Sequence, residues 1–144
     1  MSKDVIISIQ SIQSADGTDT VGPELITQGS YDYAVDGIRF SYMESELTGL
    51  DGTRTTFLVR PGEVLLSRRG AVNAQMLFRS GEKHVFRYQT AYGALNMGVV
   101  THRLDSTLGE HGGGLEIEYD LDVELAFLSK NKFIINVREK ELKS

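Results

Sequence analysis

Three histidines, His84, His102 and His111, and a surplus of carboxylates with no cysteine bound the chemistry open to this chain. Without a thiol there is no disulfide, thiolate zinc site, iron–sulfur cluster or cysteine nucleophile. No His-x-His, His-x-x-His or His-Glu-x-x-His spacing occurs, so no metal and no cofactor are expected. Ser67 and Ser80 lack the glycines of a nucleophile elbow. The glycines between Gly109 and Gly114 lack the lysine of a phosphate-binding loop and read as a flexible segment. Two groupings remain. Glu44 and His84 are the one pair that offers an acid and a base, which hydrolytic chemistry requires with separated pKa values. Arg68 with Glu44 or Glu46 offers either an internal ion pair or a seat for an anion. Tyr88 and Tyr119 complete the polar set. Which of these side chains meet depends on the faces that carry them.

The 144 residues form one domain, large enough to bury roughly 68% of the unfolded surface without a staple. Fifteen glycines and only two prolines punctuate the chain at nearly even intervals, and the segments between them alternate with period 2. That pattern predicts many short strands. Ten are expected, over residues 4–13, 24–35, 38–48, 52–60, 63–69, 71–79, 83–90, 94–104, 115–128 and 132–140. Helix is limited to about one turn within 14–23, and a loop is expected over 105–114. Asp36-Gly37 and Pro61-Gly62 are tight-turn signals, and short links throughout favour an antiparallel meander. A ten-stranded meander has two exposed edges unless it closes. The expected fold is therefore all-β: a closed antiparallel up-and-down barrel of about 8–10 strands.

The apolar face of each strand identifies the interior. Leu115, Ile117, Tyr119, Leu121, Val123, Leu125 and Phe127 share one face, and Glu116, Glu118, Asp120, Asp122 and Glu124 the other. The next strand sets Phe133, Ile135 and Val137 against Lys132, Asn136, Arg138 and Lys140, so a hairpin would lay carboxylates beside cations. The same rule turns Ile38, Phe40, Tyr42, Glu44 and Glu46 inward, then Val64, Leu66 and Arg68, then Val72, Ala74, Met76 and Phe78. Phe86 points inward with His84 and Tyr88 on either side. Residues 94–104 alternate ambiguously and leave His102 free to face either way. The interior is thus apolar with a polar set of Glu44, Glu46, Arg68, His84, Tyr88 and Tyr119. Such an interior suits a small amphipathic or anionic ligand with Arg68 as its partner. It equally suits a filled barrel whose buried charges satisfy each other, as in a structural or protein-interaction module.

The runs Arg68-Arg69-Gly70, Gln75-Met76-Leu77-Phe78, Gly81-Glu82-Lys83-His84 and Tyr88-Gln89-Thr90-Ala91-Tyr92-Gly93 form a recognisable series. So do Tyr42–Glu46 leading into Gly52-Thr53, the later Thr101, and Leu115–Leu121. Over residues 5–138 this series resembles the YwiB-like family of small bacterial proteins. The resemblance implies a closed antiparallel barrel similar to the calycins, the lipocalin and fatty-acid-binding superfamily, and no established activity. The family's Arg-x-Gly falls on Arg68 and Gly70, and its His and Tyr on His84 and Tyr88. The sequence departs from the pattern by a glycine-rich insertion at Gly112–Gly114. Its connection over 14–23 is also short for a helical lid, so a long-chain fatty acid is not implied.

Charge is unevenly spread. Residues 54–87 hold seven Arg and Lys against Glu63 and Glu82, a net of +5 within a chain of net −5. The aromatics of this sector face inward, leaving no outward stacking platform, so nucleic acid is not an expected partner. The longest apolar runs are far shorter than the ~18 residues of a membrane span, and no charged-then-apolar leader opens the sequence. No membrane partner is expected, the expected compartment is the cytoplasm, and oligomeric state is left open.

Overall fold

The structure, a computed structural model, describes residues 2–48 and 50–140. Eleven strands follow in chain order: β1 (Ser2–Ala15), β2 (Thr18–Val21), β3 (Leu25–Ala34), β4 (Gly37–Met43), β5 (Thr53–Arg60) and β6 (Glu63–Gly70). β7 (Val72–Arg79), β8 (Lys83–Thr90), β9 (Gly93–Ser106), β10 (Gly112–Val123) and β11 (Ala126–Glu139) complete them. All belong to one antiparallel sheet in which consecutive strands are neighbours from β3 to β11. β1 closes it, pairing with β11 from Val5↔Glu139 to Ser14↔Lys130 and with β3 from Ser2↔Asp32 to Ile9↔Leu25. The result is a ten-stranded closed barrel, in which every strand of the meander has a neighbour on both sides. β2 is the extra strand. It folds back on the far end of β1, Ile12↔Val21 to Ala15↔Thr18, through Asp16 and Gly17 at φ 52° and 75°. Two positive φ values are what a tight Asp-Gly hairpin turn needs. The helical turn expected within 14–23 is therefore this hairpin.

The single helical element among the described residues is a 3-10 turn, Glu46–Thr48. It interrupts the strand expected to run to residue 48, and period-2 facing ends with it. Glu44, next to the strand, stays buried, whereas Glu46 is exposed on the turn. The inward placement of Glu46 is thus corrected.

Alternation is also shifted at two bulges. Between β10 and β9, Glu118 faces Arg103 while Tyr119 faces Thr101, so His102 is the extra residue. Odd positions point inward up to Thr101, then Leu104 takes over, which is why this strand alternates ambiguously. His102 lies outside, 3.0 Å from Asp120. Between β10 and β11, Leu121 faces Ser129 and Asp122 faces Phe127. The chain turns at Glu124-Leu125, both at positive φ, four residues before the expected strand end. Leu125 and Phe127, expected inside, are 85% and 60% exposed. The expected 105–114 loop is shorter as well. Gly112 and Gly113 already pair with Arg138 and Val137. Their φ values of 106° and 140°, and backbone packed where a Cβ would stand, admit little but glycine.

The interior is a continuous core. Val5, Ile7, Phe40, Val64, Leu66, Phe78, Val99, Leu115 and Ile117 are wholly buried. Tyr31, Phe40 and Phe57 stack in series with centroids 6.2 and 4.9 Å apart. The outward carboxylates of β10 are met from both sides: Glu116 by Lys132 at 3.2 Å, Glu118 by Arg103 at 3.2 Å, and Asp122 by Lys83 at 3.0 Å. Lys83 reaches Asp122 across β9 because Gly98 lies between them. A Cβ there would sit 2.7 Å from the Asp122 carboxylate and 2.9 Å from Lys83 Cε.

Candidate functional site

A polar row crosses the inner wall on three consecutive strands. Tyr42 on β4 is the register partner of Thr55 on β5, and Thr55 that of Arg68 on β6. Glu44 lies just beyond the end of β4, tied by its N–H to the Thr53 carbonyl at 2.8 Å. Thr55 Oγ1 donates to Glu44 Oε2 at 2.5 Å, and Thr48 Oγ1, turned back by the 3-10 turn, donates to Oε1 at 2.9 Å. Hydroxyl donors therefore satisfy the buried carboxylate, as burial of a charge demands. Arg68 Nε stands 4.0 Å from Glu44 Oε2, an ion-pair distance beyond hydrogen-bond reach. That nitrogen is buried and has no acceptor. Burial raises the Tyr42 phenol well above the ordinary tyrosine range, the Glu44 charge raises it further, and the Arg68 charge opposes both. Burial also raises Tyr119, again against Arg68.

Arg68 borders two spaces. One is an end cavity of about 180 Å³, where Arg68, Glu44 and Tyr42 meet Leu25, Phe57 and Phe133. The other is a cleft of about 440 Å³ at the β7–β8 seam. The ladder between these strands consists only of Val72↔Thr90 and Asn73↔Gln89. By contrast, β5–β6 and β8–β9 each carry eight facing pairs. Beyond Asn73 the two strands run without ladder pairing, and small Ala74 beside Arg68 leaves room for the cleft. Arg68, Arg69, Arg87 and His84 line it around Ala74 and Phe86, with no carboxylate among the described lining residues. The His84 ring lies nearly parallel to Phe86, centroids 6.5 Å apart.

Of the residues singled out from sequence, Arg68 and Glu44 meet, and His84 shares the cleft with Arg68. Tyr119 is buried edge-on to Phe78 at 5.0 Å. Tyr88 packs partly buried against the core and lines neither space. Glu46 is outside. Glu44 and His84 line different cavities, so the proposed acid–base pair is not assembled. Sequence reasoning missed Thr48 and Thr55. Thr55 carried a readable signal, an inward hydroxyl alternating with Phe57 and Val59. Arg69 and Arg87 it counted only within the basic sector of residues 54–87 and assigned to no site. A second groove, of about 420 Å³, lies at the barrel's other end between Ile38, Val59 and Leu104, with Arg60 as its one cation. Among the described residues no group of three or more His, Asp or Glu is placed to hold a metal ion. No described helix is long and apolar enough to cross a membrane.

A family model described as "Domain of unknown function (DUF1934)" matches residues 7–135. The "Uncharacterized beta-barrel protein YwiB" of Bacillus subtilis (strain 168) is 30% identical over 119 residues, 83% of this chain and 82% of that protein. The crystal structure of the ywiB protein from Bacillus subtilis superposes with a TM-score of 0.86 at 26% identity, covering 97% of this chain and 94% of the other.

Proposed function

We propose that this chain, which belongs to the DUF1934 family, is a non-enzymatic binding protein for a small anionic or amphipathic molecule, held at Arg68 in the cleft of the β7–β8 seam. The observation that carries the reading is the cationic cleft itself. Arg68, Arg69, Arg87 and His84 converge on it, no carboxylate among the described lining residues balances them, and Arg68 Nε is buried with its donor unused. A buried donor without an acceptor costs about 1–3 kcal/mol, which an anion would relieve. Phe86 and Ala74 supply the apolar floor that such sites combine with a few fixed polar groups. Glu44 is the positioning partner that holds Arg68 in place. The site belongs to the wall, and the aromatic stack packs along the inner face of β3, β4 and β5. Kinship with the calycins and a cytoplasmic setting are parts of the same proposal; the meander barrel supports the first.

The contiguous buried core favours a second reading, a structural or interaction module with no ligand. A thermal-shift screen of small organic anions on wild type and Arg68→Met separates the two. Binding at about a hundredfold excess over Kd adds about 2.7 kcal/mol, a rise of several degrees. The wild type should show such a rise and the variant none. A panel that moves neither protein, with Arg68→Met strongly destabilised and rescued by Glu44→Gln, favours the filled barrel.

A further inference from the structure

Alternate positions of β4–β8 point to the solvent, and their outer side carries a row of apolar side chains. Leu58 faces Leu65, and Leu65 faces Leu77, in one register across β5, β6 and β7. All three stay partly exposed, and outward Val85 on the neighbouring β8 is 60% exposed. Arginines flank this row. Arg54 and Arg69, themselves register partners, lie to one side along β5 and β6. Arg60 and Arg79 lie to the other side along β5 and β7, with Glu63 between them, and Arg39 ends the row opposite Leu58.

The charge of this face is largely unanswered. Arg39, Arg54, Arg60, Arg69 and Arg87 are exposed, and none has a carboxylate within ion-pair distance among the described residues. Asp32, which faces Arg39, accepts from the Ser2 hydroxyl at 3.1 Å. Elsewhere on the barrel Lys3, Arg103 and Lys132 each meet a carboxylate. Arg54 facing Arg69 also opposes pairing of β5 with β6, so the face keeps its charge at a cost to the fold. Every strand here has a neighbour on both sides, so a partner must meet side chains rather than add a strand.

We infer that the outer face of β4–β8 docks an acidic amphipathic helix of a partner protein. Its apolar stripe crosses the strands over Leu58, Leu65, Leu77 and Val85, and carboxylates on its flanks meet Arg54 and Arg69 on one side and Arg60 on the other. An apolar centre with an arginine-rich rim is the anatomy of a protein interface. Four strands ~4.8 Å apart make a row about 14 Å long, the rise of about nine helical residues. Helix neighbours three and four apart are ~5–6 Å apart, close to that strand spacing. A second copy fits less well, because the acidic face of β10 is already met by Lys83, Arg103 and Lys132 of its own chain. Nucleic acid fits less well too, since Phe40, Tyr42, Phe57, Phe78 and Phe86 all point inward and offer no outer stacking platform. The inference goes beyond the anion site at Arg68 and does not depend on it.

The test is fluorescence-anisotropy titration of the full chain with a stapled helical peptide of about fourteen residues, leucines along one face and glutamates on both flanks. Three further probes are the same peptide with lysines for glutamates, a single-stranded oligonucleotide, and phosphatidylglycerol vesicles. The acidic peptide should bind about tenfold or more tighter than its lysine counterpart. Leu65→Gln/Leu77→Gln and Arg54→Glu/Arg60→Glu should each weaken it by about tenfold or more. Neither pair lines the Arg68 cleft, so the anion-induced thermal shift should persist in both variants. Arg54→Glu/Arg60→Glu should melt no lower than wild type, because it removes the facing like charges. No binding of the acidic peptide at millimolar concentration, or binding that both variants retain, would overturn the inference. So would tighter binding of the oligonucleotide or the vesicles, or a dimer in sedimentation that either variant dissociates. None of these results would touch the anion site, whose failure is read from the thermal shift alone.

Discussion

Arg68 is held from one side only. Glu44 neutralises it at 4.0 Å without accepting from its Nε, while Thr55 and Thr48 donate to the carboxylate. The guanidinium is thereby fixed in direction and left with donor capacity, the condition for recognising an anion rather than merely closing a pair. Its charge also reaches Tyr42 and Tyr119, whose phenols burial raises well above the usual range. A raised value means that the folded state holds the phenolic proton more tightly than the unfolded chain. The contribution to stability is fully present below the unfolded value, about pH 10, and is lost as pH rises beyond it. Urea unfolding at about pH 8 and pH 11 should therefore show a loss at alkaline pH. In Tyr42→Phe/Tyr119→Phe that loss should shrink. An undiminished loss in the double variant would assign the alkaline transition to other groups.

Two kinds of turn set the elements. Asp16-Gly17 adopts the positive φ values that its residue types favour. Glu124-Leu125 adopts them at φ 50° and 72° against preference, and Leu125 is mostly exposed. A leucine in the left-handed region costs about 1–2 kcal/mol, and this one recovers little by burial. Leu125→Gly should accordingly raise the thermal midpoint by about 3 °C, roughly 1 kcal/mol for a chain of this size. A lower midpoint would mean that the exposed side chain makes a contribution the turn geometry does not reveal. The acidic face of β10 shows the opposite economy. Its carboxylates are met from β8, β9 and β11 together, so it is a compensated surface rather than a site.

At the scale of the whole molecule, nine of the ten joints around the barrel carry ladders of five or more facing pairs, two of them bulged, and the β7–β8 joint carries two. The β7–β8 joint is pinned by Val72↔Thr90 and Asn73↔Gln89 at one end and by the turn at the other, where Glu82 N–H donates to the Arg79 carbonyl at 3.0 Å. Between these pins, N–H and C=O groups lack strand partners and must take water or a ligand. Hydrogen exchange should find alternate amides of residues 74–78 and 84–88 at least about a hundredfold less protected than those of 64–66 on the β5–β6 ladder. Uniform protection around the barrel would mean that the seam is closed in solution.

Most of the barrel was legible in the sequence, because period-2 alternation reports directly which side chains a pleated strand buries. Phe40, Tyr42, Glu44, Leu66, Phe78, Phe86 and Tyr119 all lie on the faces their neighbours predict. Alternation fails wherever the backbone leaves the pleat. It placed Glu46 inside because alternation does not register Ser45, whose Oγ accepts from the Leu47 N–H at 3.2 Å and starts the 3-10 turn. It carried β10 through Leu125 because neither Glu124 nor Leu125 is a turn residue, and it could not resolve His102 because a bulge exchanges the two faces at that residue. The seam was beyond its reach altogether. Facing is a property of one strand, whereas the parting of β7 from β8 depends on how ten strands share the twist and stagger of a closed barrel. Only tertiary structure could therefore bring Arg68 and His84, on strands far apart in the sequence pattern, to one cleft.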